Sequence, residues 1–106
     1  MNLVEYIKKQ KRFGLKTFGP GVGTSDFDAG LIDHIESELT EIKESPGDLE
    51  EWIDVIILAL EGCWRNGHNP KQIVECLEYK QQKNIHRKWP DWKTAEPGKA
   101  IFHIKE

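Results

Sequence analysis

The fold of this chain is decided by the stretch DHIESELTEIKESPGDLEEWIDVIILAL, residues 33–60. Apolar residues recur around its first half at spacings of four, four and three, which predicts an amphipathic helix over residues 28–44. The SPGD turn ends this helix. Asp48 can cap a second helix that runs to about Arg65, with Glu51 at the capping-box position. So short a turn predicts that the two helices are antiparallel neighbours.

The same stretch contains nine acidic residues, and most of them can lie on a solvated helix face. Asp54 is different, because every other residue of WIDVIILAL, residues 52–60, is apolar. Each helix has two acids three residues apart, which project from the same side: Glu38 with Glu41, and Glu51 with Asp54. In an antiparallel pair, Glu38 falls level with Asp54, and Glu41 with Glu51. Four converging carboxylates recruit cations, and hard oxygen ligands in this number suit Mg²⁺ or Mn²⁺.

Structural explanations of these acids stay open at this point. An ExxE pattern is most often a solvated helix face, Asp54 could pair with an Arg or Lys side chain, and Glu51 could act only in the capping box. A di-iron carboxylate site needs Glu-x-x-His on two helices, and no His of this chain has Glu three residues before it. His34 lies one turn before Glu38 and could edge an acidic site.

The other segments of the chain also favour helices. The pattern predicts a short amphipathic helix over residues 2–13, and five glycines and a proline predict an ordered loop over residues 14–30. A further helix is expected to open at a proline and cover residues 70–87. The end of the chain, with two tryptophans and a phenylalanine, is expected to pack onto the body, with a short strand at residues 100–104 as the alternative. The expected fold is all-α, a bundle of about four helices in a single domain, residues 1–106.

Composition and charge exclude several functional classes. The chain has 106 residues and a formal net charge of -3, which gives no general attraction to nucleic acid or anionic membranes. The longest apolar run is VIILAL, far shorter than the roughly 20 residues of a membrane span. Cys63 and Cys76 lie in different predicted helices without a CxxC pair. They are expected to be reduced core thiols, which places the protein in the cytoplasm.

The paired acids belong to a wider pattern that resembles a known family. ELTE at residues 38–41, followed by EWID at residues 51–54, resembles the ExxE and ExxD motifs of the MazG-like all-α nucleoside triphosphate pyrophosphohydrolases. Further segments are similar to one branch, the dATP/dGTP diphosphohydrolase family of phages and bacteria, which includes the MazZ type. They are TFGPG at residues 17–21, GLIDHIESEL at 30–39, PGDLEEWIDVIILALEG at 46–62, WRNGH at 64–68, KQQKN at 80–84 and WPDW at 89–92.

The resemblance implies an enzyme that hydrolyses dGTP or dATP between the α- and β-phosphates. The products would be dNMP and pyrophosphate, formed by attack of a metal-bound water at the α-phosphate. The implied cofactor is Mg²⁺ or Mn²⁺. Its implied ligands are the four motif acids, Glu38, Glu41, Glu51 and Asp54. Glu41 is the candidate that orients or deprotonates the water.

The resemblance further implies a MazG-like bundle that assembles as an intertwined homodimer or as a dimer of dimers, a homotetramer. One position departs from the family pattern. Ser37 stands where many MazG-like proteins have Glu immediately before the first motif acid. Glu36 or Glu50 could therefore contribute to binding a second or third ion.

Contacts to the phosphates are expected from the last helix. Its stripe begins apolar at Ile73 and Leu77 and turns polar at Lys80, Asn84 and Arg87. The match of KxxxNxxR to the family implies that the three polar residues grip the β- and γ-phosphates, Arg87 in a bidentate way. By themselves, basic residues near a helix C-terminus more often favour the helix dipole.

The nucleobase needs an apolar or stacking slot. Trp52, Trp89 and Trp92 are candidates, although a Trp is more often a core or interface residue. FGPG, residues 18–21, could shape a substrate loop, because glycine lets the backbone approach a ligand closely. The basic segment KKQKR, residues 8–12, could attract a triphosphate or simply form a solvated face.

Three other functions stay open as alternatives. The first is a broad housecleaning pyrophosphatase acting on several dNTPs or on dUTP. The second is a non-catalytic helical interaction module, whose acids would face solvent and ignore Mg²⁺. The third is a nucleic-acid binder, which the acidic middle and the negative net charge oppose. The expected partners are a dNTP and further copies of the chain, with no nucleic acid and no membrane.

Overall fold

A computed structural model of the chain describes residues 1–21 and 25–105, and only the backbone of Ser25 and Phe27. It contains the α-helices α1 (Leu3–Phe18), α2 (Ser25–Glu44), α3 (Leu49–Arg65) and α4 (Pro70–His86), and a short 3-10 helix at Trp92–Thr94. The described residues include no strand, so the all-α prediction of four helices is confirmed and the alternative strand at residues 100–104 is wrong. No described helix is both long and apolar enough to cross a membrane.

Helix α1 continues five residues beyond its expected end at residue 13. Gly14 was expected to begin a loop, but it lies within α1 and is buried against Trp64 of α3. A Cβ atom at this position would lie 2.8 Å from Cζ2 of Trp64, so the glycine permits close helix packing and does not end the helix. Helix α2 also begins earlier than expected, at Ser25. The predicted loop over residues 14–30 is therefore helical at both of its ends.

Helices α2 and α3 pack against each other, as the short turn between them predicted. Gly47 occupies the left-handed region in this turn, with φ 87°. Asp48 is the N-cap of α3, as expected, and its side chain accepts from the backbone N–H of Glu50 at 3.0 Å. The structure does not show a capping box with Glu51. The Asp48 side chain accepts from the N–H of Glu50, and the Glu51 carboxylate lies among other acids.

By contact density the described chain forms two compact units, residues 1–74 and residues 75–106, with the unit boundary inside α4. The core of the first unit consists of Ile7, Trp64 and Ile73, from α1, α3 and the first turn of α4. Removing these apolar surfaces from water stabilises the packing of the three helices. Cys63 is half-buried beside this core, as expected, whereas Cys76 is exposed, so the core prediction is wrong for Cys76.

The second unit is held together partly by contacts of Trp89. Its indole N–H donates to the carbonyl of Asn84 at 2.7 Å, and its ring packs edge-to-face on His103 at 6.0 Å between centroids. Trp92 and Phe102 remain 73% and 78% exposed. These two side chains are therefore not buried, the contacts of Trp89 with Asn84 and His103 lie within this unit, and the packing of the chain end onto the body stays a prediction.

Candidate active site

Three acids from the facing helices α2 and α3 form a tight group, called the acid cluster below. Glu38, Glu41 and Glu51 each present a carboxylate oxygen, and these oxygens all lie within 4.8 Å of one another. Glu38 is buried, Glu51 is half-buried and Glu41 is exposed, so the cluster opens toward solvent on the Glu41 side. The i, i+3 spacing on α2 and the capped start of α3 place the three side chains at one level.

Asp54, the fourth predicted ligand, lies one turn further along α3. It is half-buried and is not among the three mutually close carboxylates, but its charge helps to raise the pKa of Glu38. Asp54 and Glu38 also line the same cavity. The structure thus brings three of the four predicted ligands together and leaves the fourth beside them.

The carboxylates of the acid cluster perturb one another strongly. A side-chain hydrogen bond with Glu41, then burial and the charge of Glu41, raise the pKa of Glu51 to about 7. The same three causes, together with the charge of Asp54, raise the pKa of Glu38, and a hydrogen bond with Glu51 opposes this shift. A hydrogen bond between two carboxyl groups needs a proton, so the cluster holds protons at a pH where isolated acids are ionised.

The cluster also contains polar atoms without partners. Oε2 of Glu38 and Oε2 of Glu51 are buried and accept no hydrogen bond. Buried carboxylate oxygens without partners are costly, and a hard divalent cation is the ligand that such oxygens prefer. The donor set of the cluster therefore fits Mg²⁺ or Mn²⁺, and the absence of any sulfur or nitrogen donor among these three residues disfavours a softer metal.

His34 edges the acidic site, as its spacing suggested. Its Nε2 atom lies 3.3 Å from Oε1 of Glu38, one helical turn away on α2. The imidazole is largely exposed, whereas the Glu38 carboxylate that it meets is mostly buried. His34 thus contacts the oxygen of Glu38 that is not orphaned and leaves Oε2 available for another partner.

A cavity of about 540 Å³ adjoins the acids, within the roughly 300–1,000 Å³ typical of small-molecule sites. One wall is aromatic: Phe13 and Phe18 of α1 meet edge-to-face, with centroids 6.1 Å apart. The residues that line it are Phe13, Phe18, Asp26, Gly30, Leu31, His34, Glu38, Asp54, Ile57, Leu58 and Glu61. The described lining includes no Lys or Arg side chain, so a phosphate group in this cavity would need a cation from another source.

The aromatic wall was not foreseen from the sequence. Trp52 is 53% exposed and is not among the residues that line this cavity, so its role in binding a nucleobase stays a prediction. The stretch TFGPG was the available sequence signal for the aromatic wall, since it contains Phe18 directly before the glycines that end α1. Phe13 follows the basic segment KKQKR and had no distinguishing pattern. In that segment Gln10 is buried and donates from Nε2 to the carbonyl of Ile57 at 2.9 Å.

The residues predicted to bind the phosphates belong to the second unit. Nη1 of Arg87 donates to Oδ1 of Asn84 at 2.9 Å, and both side chains are half-buried. Lys80 is exposed on α4. The amide of Asn84 therefore orients the Arg87 guanidinium within this unit, and the role of the three residues in phosphate binding stays a prediction.

Comparison with known proteins places the chain in a family. The chain has no significant match among curated proteins or among solved structures. The sequence model of the dATP/dGTP pyrophosphohydrolase family, however, matches residues 6–106, a span that includes the acid cluster, the cavity lining and α4. The chain therefore belongs to the dATP/dGTP pyrophosphohydrolase family.

Proposed function

We propose that this protein hydrolyses dGTP, dATP or both to the corresponding dNMP and pyrophosphate, using Mg²⁺ or Mn²⁺. The observation that carries the proposal is the acid cluster, in which three carboxylates converge and two buried oxygens lack partners beside a cavity. The family description adds the class of substrate and the bond that is broken. A solvated helix face, the main structural alternative, does not explain buried and unpartnered carboxylate oxygens.

The metal would be held by the three residues of the acid cluster and by Asp54. A divalent cation bound there would neutralise charge on the triphosphate oxygens and lower the pKa of a coordinated water. Glu38 and Glu51 supply the buried oxygens that lack partners, and Asp54 supplies a further carboxylate at the cavity side of Glu38. These ligands bind best when ionised, so the protons that the cluster retains must leave on binding.

Glu41 is the proposed general base. It is the exposed member of the acid cluster, so its carboxylate can reach a water molecule that the two more buried acids cannot reach directly. One of its carboxylate oxygens lies within 4.8 Å of oxygens of both Glu38 and Glu51, so it is next to the proposed metal ligands. Taking a proton from the attacking water would leave that water more nucleophilic toward the α-phosphorus.

The cavity would hold the deoxynucleoside. Its volume suits a nucleoside, and its lining includes the acids Glu38 and Asp54 as well as the aromatic wall of Phe13 and Phe18. A purine is a flat, polarisable ring that packs well on aromatic side chains. In the proposed binding mode the α-phosphate lies beside Glu38 and Asp54, and the base packs on the aromatic wall.

The β- and γ-phosphates would be bound by Lys80, Asn84 and Arg87. The contact between Asn84 and Arg87 holds the guanidinium in one orientation, which favours bidentate binding of phosphate oxygens. Lys80 adds an exposed positive charge on the same helix. The leaving pyrophosphate would thus be stabilised by side chains separate from those that bind the metal.

The enzyme would act as a homodimer or homotetramer in the cytoplasm, with residues 1–106 as one catalytic domain. Support comes from exposed apolar side chains on the helices that form the site. On α3 they follow one stripe at spacings of three, one and three: Leu49, Trp52, Ile53 and Ile56. Leu39 of α2 is also 43% exposed. A second copy of the chain would bury these surfaces.

A product assay tests the proposal. Each dNTP and NTP is incubated with purified protein and Mg²⁺ or Mn²⁺, and the products are separated by ion-exchange chromatography. We expect dGTP or dATP to give dNMP and pyrophosphate, with little activity toward ribonucleotides. Cleavage of dUTP and all dNTPs at similar rates would instead indicate a housecleaning enzyme. Absence of cleavage with either metal would contradict the proposal and favour an interaction module.

A further inference from the structure

Arg65, the last residue of α3, is the most deeply buried charge among the described residues, at 1% exposed. Its guanidinium donates from Nε to Oε2 of Glu61 at 2.8 Å. Nη1 donates to the carbonyls of Gly19 at 2.9 Å and Gly21 at 2.8 Å, and Nη2 donates to the carbonyl of Gly14 at 3.2 Å. These five residues are called the arginine clamp below.

The arginine clamp satisfies a buried charge almost completely. Glu61 provides the opposite charge, three glycine carbonyls provide acceptors, and the guanidinium also lies over the Trp64 ring at 4.4 Å from its centroid. Each of the three guanidinium nitrogens has at least one acceptor. Only a planar fork with fixed donor directions can hold a carboxylate and three carbonyls at once, so lysine is a poor substitute.

The carbonyls in the arginine clamp belong to a segment next to the cavity. Gly14 lies within the last part of α1, and Gly19 and Gly21 follow its end directly. Phe18, the residue before Gly19, forms part of the aromatic wall of the cavity, and Glu61 of the clamp lines the same cavity. Arg65 does not line the cavity itself. It therefore acts on the cavity only through the residues that it holds.

We infer that Arg65 is a positioning residue for substrate binding, which fixes residues 19–21 and Glu61 so that Phe18 forms a rigid wall of the nucleoside cavity. This inference rests on the proposed function, because it assigns the cavity to the deoxynucleoside. Gly19 has a positive φ of 91° and ends α1. The carbonyls that follow are oriented by Arg65, and a wall held in place before binding costs less to order when substrate arrives.

The test compares Arg65→Lys with Lys99→Arg, the reciprocal substitution at an exposed lysine that belongs neither to the arginine clamp nor to the cavity lining. For Arg65→Lys we expect KM for the preferred dNTP to rise about tenfold or more, because small displacements of a binding wall weaken positioning strongly. The value of kcat and the affinity of the acid cluster for Mn²⁺ should change less than about twofold, since the metal ligands are not touched. Hydrogen exchange at the Gly19 amide, which donates to the Leu15 carbonyl at 3.1 Å, should become faster.

Several outcomes would overturn the inference. An unchanged KM in folded Arg65→Lys contradicts the inference. A lower kcat and weaker Mn²⁺ binding together with a higher KM also contradict it, because they indicate a general role in stability. If Arg65→Lys does not fold, Glu61→Gln keeps an acceptor for Nε while removing the buried counter-charge; unchanged Gly19 exchange and KM in that variant also contradict it. Wild-type protein that cleaves no dNTP contradicts the proposed function instead, and the exchange measurement separates the two cases because it needs no turnover.

Discussion

Two buried charged groups border the same cavity and differ in how their polar atoms are satisfied. In the arginine clamp, opposite charges meet, and the guanidinium nitrogens all find acceptors. In the acid cluster, like charges meet, pKa values rise, and two buried oxygens accept nothing. The first arrangement is complete within the chain, which is typical of a support. The second is incomplete without a proton or a cation, which is typical of a ligand site.

The largest effect is expected from breaking the arginine clamp. Arg65→Met should lower the free energy of unfolding by about 3–5 kcal/mol, because it leaves the Glu61 carboxylate buried without its partner. Urea unfolding followed by circular dichroism measures this loss, with Arg12→Met as the exposed control. A change of less than about 1 kcal/mol would show that the clamp is no more than a surface-type ion pair.

In the acid cluster, removing a charge is expected to stabilise the metal-free protein rather than destabilise it. Glu38→Gln should lower kcat by roughly a hundredfold or more, since it removes a proposed metal ligand. In metal-free protein at pH 8 it should raise the melting temperature, because it removes one of several repelling charges. Glu44→Gln, at the exposed end of the same helix, is the matched control for both measurements. A Glu38→Gln variant that is less stable without metal would mean that the cluster, like the clamp, is structural.

A smaller effect tests the packing that brings the clamp together. Gly14→Ala should destabilise the fold by about 1–3 kcal/mol, because its Cβ would meet the Trp64 ring at 2.8–2.9 Å. Gly62→Ala in α3 is the control, since a Cβ there has open space, and it should stabilise the helix by up to about 1 kcal/mol. Thermal unfolding of both variants gives the comparison. Equal melting temperatures would show that α1 can shift away from Trp64 without cost.

The most gradual effect is the pH dependence of the acid cluster. The ordinary pKa of Glu51 is 4.5 and its folded value is about 7, so the folded state keeps a proton that the unfolded state has lost. In metal-free protein the stabilisation from this group is complete below pH 4.5 and is lost as pH rises toward 7. Urea unfolding across this window should show the decline in wild type and a weaker decline in Glu51→Gln. Identical pH profiles for the two proteins would contradict the shift.

Metal binding should have the reverse pH dependence. A cation competes with the proton that Glu51 retains, so Mn²⁺ should raise the melting temperature more at pH 8 than at pH 5. Ca²⁺, a larger hard cation, serves as a comparison in the same titration. An equal stabilisation by Mn²⁺ at both pH values would indicate that the ion binds elsewhere.

Much of the fold and of the acid cluster followed from local patterns. Apolar periodicity and the cap at Asp48 placed α2 and α3, and the spacing of the acids then placed Glu38, Glu41 and Glu51 together. Such features depend on residues that are close in sequence or on one short turn. Asp54 shows the limit of this reasoning, because level pairing of two helices does not specify how far each side chain reaches.

The arginine clamp and the aromatic wall could not be predicted in this way. Arg65 binds carbonyls 44 to 51 residues away, and backbone acceptors carry no side-chain signal in a sequence. Gly14 looked like the end of a helix, since the close approach of Trp64 that requires it is a tertiary contact. Phe13 and Phe18 are exposed aromatics outside any apolar stripe, so only the folded α1 shows that they share one wall.

We propose that the incomplete group, the acid cluster, is completed by a divalent cation. The most direct test is a Mn²⁺ titration at pH 8, with the free ion followed by electron paramagnetic resonance, on wild type, Glu38→Gln and Arg65→Lys. We expect saturable binding in wild type, affinity weakened by about tenfold or more in Glu38→Gln, and wild-type affinity in Arg65→Lys. Wild-type protein that binds no Mn²⁺, or a Glu38→Gln variant that binds it equally well, would show that the acid cluster is not a site for this cation.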